Sequence, residues 1–156
     1  MRKIILLPLI FALCAVPSSV KAQNPVGRIE VRIENVRSSN GSVGVALFNT
    51  NKGFPDKNTM ALEGLSVSAN KRCEVVFEDV PFGTYAVSVL HDENGNGKMD
   101  KGFLGIPKEG FGTSNNPEIK MGPPSFTDSS FNLESKGLTL NIIMKYLRHP
   151  DNQEKQ

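Results

Sequence analysis

Cysteine, histidine, charge of one sign and long apolar runs are all scarce in this sequence, and each shortage closes off a class of protein. Of the two cysteines, Cys14 lies in an N-terminal apolar run and Cys73 has no partner, so the chain is no disulfide scaffold and must rely on its core. Two histidines, His91 and His149, and one thiol, Cys73, widely separated in sequence, do not supply zinc-site spacing. A Gly-x-Ser-x-Gly turn, the nucleophile elbow of one large hydrolase class, is missing. Setting aside Arg2, Lys3 and Lys21 of the N-terminal segment from the 18 basic residues leaves 15 against 16 acidic ones. A near-neutral chain gives no reason to expect nucleic acid or an anionic membrane surface as partner.

The longest apolar run, Ile4 to Val16, is too short for a membrane span and follows the positive start Met1-Arg2-Lys3. Pro17-Ser18-Ser19 breaks it, and Val20-Lys21-Ala22 offers a small residue for cleavage before Gln23, so residues 1–22 read as a signal peptide. Leu13 before Cys14 is not the small residue a lipid-attachment site carries. The expected organisation is one domain over residues 23–147 and a polar tail over 148–156, exported to the periplasm or the cell exterior, with no transmembrane segment in the mature chain.

What is present is alternation. Ile29, Val31 and Ile33 alternate with Glu30, Arg32 and Glu34, and Val43, Val45 and Leu47 resume the pattern beyond Asn40-Gly41, which predicts a hairpin. The segment 49–62 reads as a crossing loop with one helical turn near its end. A second hairpin is expected over 65–69 and 72–78, with Cys73 on the apolar face as a small buried hydrophobe. Strands over 84–90, 130–133 and 138–146 complete about seven, which predicts an all-β antiparallel sandwich of two sheets. The run Phe77-x-x-Val80-Pro81-x-Gly83-x-Tyr85-x-Val87 resembles the hairpin of small secreted β-sandwiches of transthyretin and carboxypeptidase-regulatory type.

Between the fifth strand and the closing ones the chain turns polar. Asp92, Asn94 and Asn96 place oxygens at every second position, Gly97 follows, and Asp100 closes the run. That spacing lets a curled backbone gather oxygens around a hard cation, and calcium is the expected ion. The ligand set is Asp92, Asn94, Asn96, the Lys98 carbonyl and Asp100, with Glu109 as the candidate for a further acidic ligand. Position twelve is Phe103 rather than the bidentate Glu of an EF-hand, and only two ligands are charged, so the expected affinity is on the order of 10⁻⁴ to 10⁻³ M. The competing reading is a turn whose Asn and Asp side chains cap their own backbone.

The next segment, Gly102 to Pro117, is rich in Gly and Pro yet carries large apolar residues, as a packed functional loop does. Phe103, Ile106, Phe111, Asn115, Asn116 and, from a later loop, Phe126 are its candidate recognition residues, facing a protein or polysaccharide partner. Taken together, the Asp-Glu-Asn-Gly-Asn-Gly-Lys-Met-Asp loop, Gly-Ile-Pro-Lys-Glu-Gly-Phe-Gly-Thr-Ser-Asn-Asn and Gly-Pro-Pro-Ser-Phe resemble the exported bacterial domain family of unknown function 2141 (DUF2141). That resemblance implies export and no established activity. The sequence therefore predicts a non-catalytic binding or structural module with a calcium-stabilised loop. Its rival is a hydrolase of an envelope or extracellular polymer using His91 with Asp92, Glu93, Asp100 and Glu109. Separately, His91 as a base with Ser88, Ser114 or Ser125 as nucleophile is a pairing that chance readily supplies, and the expected role of His91 is to anchor the loop by a ring hydrogen bond.

Overall fold

The computed structural model describes residues 24–119 and 122–147; the expected signal peptide and the tail from residue 148, His149 included, lie outside the described residues. Each alternating segment must cover one apolar face, and two stacked sheets do so. The first is β4 (Arg72–Pro81), β1 (Val26–Glu34) and β8 (Gly137–Ile143), in that order. The second is β3 (Glu63–Ser68), β2 (Ser42–Phe48), β5 (Gly83–Asp92) and β6 (Gly110–Thr113), with β7 (Phe131–Leu133) also paired to β5. The all-β, two-sheet sandwich expected from the alternation is the arrangement observed. Ile29, Val31 and Ile33 of β1 are wholly buried between the sheets, each contributing at most about 1.5–3 kcal/mol of hydrophobic stabilisation.

Three features differ from the sequence reading. The two expected hairpins are not hairpins: β1 pairs with β4 and β8, while β2 pairs with β3 and β5, so the chain crosses between sheets after β1 and again after β3. Periodicity fixes which face is buried, and a neighbour in the same sheet or across the core covers it equally well. At the first crossing Asn35, at φ 63°, donates its side-chain N–H to the Met144 carbonyl at 2.8 Å, turning the chain toward β2. The hairpin suggested between β4 and β5 is likewise a crossing, pinned by the Tyr85 hydroxyl donating to the Pro81 carbonyl at 2.8 Å, in the manner of a tyrosine corner.

The second difference is direction, since β1 and β8 run parallel, Val31 opposite Leu140 and Ile33 opposite Ile142. The third is β6, a strand inside the segment expected to be loop. Its glycines leave almost no apolar period to detect, and one of them is required by contact. A Cβ on Gly110 would lie 2.2 Å from the Tyr146 ring, so only glycine lets the end of the β8 segment close over β6.

β5 is central, and both of its faces are covered. Tyr85, Val87, Val89 and His91 enter the core, while Ala86 and Ser88 are buried on the outer face. The segment between β2 and β3 covers that outer face, with the Ser88 hydroxyl donating to the Pro55 carbonyl at 3.0 Å and the expected helical turn found at Asn58–Met60. Cys73 is buried as expected, its Sγ 3.4 Å from the Asn70 carbonyl.

Candidate functional site: a clamped loop beside an apolar cleft

The polar loop leaves β5 at Asp92, and its first action is on its own backbone. Asp92 Oδ1 accepts the N–H of Gly95 at 2.8 Å and of Asn96 at 3.1 Å, and Oδ2 accepts that of Gly97 at 2.7 Å. Gly97 takes φ 76°, a left-handed conformation that glycine adopts freely, and its N–H meets Asp92. Asn94 and Asn96 accept the backbone N–H groups of Asn96 and Lys98, at 3.1 and 3.0 Å. Their amide nitrogens both reach Asp100, at 2.6 and 3.0 Å. Asn94, Asn96 and Asp100 thus gather on one side of the loop, while Asp92 pins the turn from within.

Glu109, expected as a further metal ligand, is placed otherwise. It is buried, and its Oε1 accepts the Glu93 N–H at 3.0 Å while its Oε2 accepts the Asp100 N–H at 2.9 Å. A carboxylate that accepts backbone donors at both ends of a loop is a clamp, because each bond satisfies a group that burial would otherwise leave unpaired. Among the described residues no group of three or more His, Cys, Asp and Glu side chains is gathered as a metal site.

Beneath the loop lies a network whose members come from four segments. Glu93 pairs with the Arg37 guanidinium and accepts the Ser38 hydroxyl at 2.9 Å. Arg37 also donates to the Lys108 carbonyl at 3.2 Å and lies over the Tyr146 ring, 4.6 Å from its centroid. The Arg37 hydrogen bond holds the Glu93 carboxyl below the usual range for glutamate, and the Arg37 pKa rises in turn. Burial pushes the Tyr146 phenol up. Periodicity did not single out Arg37 or Tyr146, since both stand just outside regular strands; an arginine and a tyrosine flanking strand ends were the only signals available.

His91 is the hub of this network and is wholly buried. Its Nε2 faces the Asn40 carbonyl at 2.9 Å, an acceptor only, so the ring proton sits on Nε2. Tyr146 accepts the Arg37 backbone N–H at 3.1 Å and donates its own proton to His91 Nδ1 at 2.9 Å. Neither ring nitrogen is left to take a proton from a substrate. The three serines considered with it are also engaged: Ser88 on Pro55, Ser114 on the Ser129 carbonyl, and Ser125 capping the short helix α1 (Phe126–Ser129).

The expected recognition residues fall into two groups. Lys101 and Pro107 pair as a short ribbon with Phe103 and Leu104 at its tip, each 82% exposed, and Leu104 held at φ 62°. Ile106 and Phe111 line a cleft of about 290 Å³ on the outer face of the five-stranded sheet. Its floor is Gly44, Leu90 and Phe111 in one cross-strand row and Ser88 beside Thr113 in the next. Leu104, Ile119 and Leu147 supply apolar walls. The other group braces the fold. Asn115 donates to the Ser130 carbonyl at 2.8 Å, and Asn116 joins both Asn141 and Ile143 of β8. Phe126 packs edge-on against Phe54, centroids 5.8 Å apart, and Phe54 in turn against Phe48. That stack fastens the covering segment to the sheet, so Phe126, Asn115 and Asn116 serve packing in this structure.

No helix among the described residues is long and apolar enough to cross a membrane. No curated protein and no solved structure matches the chain. Residues 31–141 match the family described as uncharacterized protein conserved in bacteria, DUF2141, and that stretch takes in most of both sheets, the clamped loop and most of the cleft. The chain therefore belongs to the DUF2141 family.

Proposed function

We propose that this chain is an exported, non-catalytic binding module whose clamped loop walls an apolar ligand site. The cleft carries the reading: it is concave, of a size suited to a small ligand, lined mainly by apolar side chains, and floored by a rigid central strand. Against a hydrolase stand the burial of His91 and the engagement of both its nitrogens, of Glu109 and of the nearby serines. A calcium ion held by Asp92, Asn94, Asn96, the Lys98 carbonyl and Asp100 is the stabiliser of the loop in this reading, supported by the spacing of these oxygens along a curled backbone, with the Asn94 and Asn96 amides that now donate to Asp100 turning to present oxygen to the ion. The ion would be structural and weakly held, adding stability where the loop is otherwise fixed only by its own hydrogen bonds.

Titration with Nile red, a neutral apolar dye, tests the site directly. Saturable one-to-one binding is expected, lost in Gly44→Leu. A Cβ at Gly44 meets nothing closer than the Leu90 carbonyl at 4.0 Å, so that variant fills the cleft without disturbing the sheet. Turnover of any polysaccharide or ester by the wild-type chain, lost in Glu93→Gln, would overturn the reading.

A further inference from the structure

Building on the ligand-site reading, we infer that the cleft takes a single-chain amphiphile with an anionic head, of the kind a free medium-chain fatty acid presents. Three observations lead there. The enclosed space, about 290 Å³, equals about ten water-sized volumes, which suits an unbranched tail on the order of ten carbons. The walls that meet such a tail, Leu104, Ile106, Phe111 and Leu147, offer no charge to it.

The charged lining residues decide the head. Among the described residues that line the cleft these are Asp56, Lys98 and Lys101. Lys101 pairs with Asp56 at 3.0 Å, which cancels one positive charge and leaves that of Lys98 without an ion-pair partner among the described residues. An unbalanced, exposed lysine among the residues lining an apolar hollow favours a carboxylate head and disfavours a cationic one. Calcium in the adjoining loop would not alter that sign.

The experiment measures displacement of Nile red from the full mature chain by monomeric dodecanoate, dodecyltrimethylammonium and dodecanol. Dodecanoate is expected to compete best, and the cation worst. Lys98→Glu is expected to raise the dodecanoate dissociation constant about fivefold, the size of a partly exposed charge contact, while leaving dodecanol unchanged. Equal competition by all three probes, blocked by Gly44→Leu, would overturn the anionic head while leaving the cleft as a ligand site. Failure of Nile red and all three probes to bind would overturn both. Sedimentation with phosphatidylglycerol vesicles in place of dodecanoate binding would also overturn the inference, by pointing to a lipid surface instead of a free acid.

Discussion

The Glu109 carboxylate accepts the backbone N–H of Asp100 at 2.9 Å from across the base of the polar loop. Its second oxygen does the same for Glu93, so one buried side chain joins the two ends of the turn. Glu109→Gln keeps the shape but presents an N–H to one of these donors. A loss of about 1–3 kcal/mol is expected in urea denaturation, with faster proteolytic cutting between residues 94 and 108. Unchanged stability and cutting would show that the loop closes without the clamp.

Acid should loosen the same end of the molecule. The Glu93 carboxyl titrates lower in the folded chain than in the unfolded one, because Arg37 stabilises its charged form. The unfolded state therefore binds the proton first as pH falls. The stabilisation is present above the unfolded glutamate value and is lost as pH drops through the folded one. Both partners are about one-fifth exposed, which places the pair between surface and buried cases, so Glu93→Gln should cost about 2 kcal/mol at pH 7 and progressively less in acid. A pH series of denaturant midpoints for both proteins checks this, and parallel curves would contradict it.

Replacing His91 tests structure against catalysis. His91→Leu takes away the ring partner of the Asn40 carbonyl and of the Tyr146 hydroxyl, which keeps the Arg37 N–H, at a part-buried place, an expected loss of about 1–3 kcal/mol. Binding of Nile red should persist at low temperature, since His91 does not line the cleft. A variant as stable as the parent would remove His91 from the network.

Calcium should raise the melting temperature of the chain over residues 23–156. At 10 mM calcium the affinity expected from two ligand carboxylates corresponds to about 1.4–2.7 kcal/mol, or roughly 4–10 °C for a domain of this size. Asp100→Asn should abolish that response while shifting the calcium-free melt by no more than about 0.5 kcal/mol, its carboxylate being bonded to the Asn94 and Asn96 amides and to no other side chain among the described residues. Equal melts with calcium, with chelator and with matched sodium chloride would leave the loop to its own hydrogen bonds.

The sequence by itself determined which residues of β1, β2 and β5 face between the sheets, because a period of two divides the faces of a strand whatever its neighbours, while the burial of Ala46, Phe48, Ala86 and Ser88 on the outer face came from the segments that cover it. It also determined that the polar loop would curl, since Asp92, Asn94 and Gly97 act on backbone groups a few residues away, and such bonds are local. Tertiary structure alone decided that β1 crosses to β8 and β4 instead of turning back on β2, a choice between two coverings that local pattern does not rank. It alone turned Glu109 from a candidate ligand into a clamp, and made a strand of glycine-rich β6. The cleft is tertiary in the same sense: Gly44, Phe111 and Leu147 are far apart along the chain, and only the stacking of strands and covering segments brings them to one hollow.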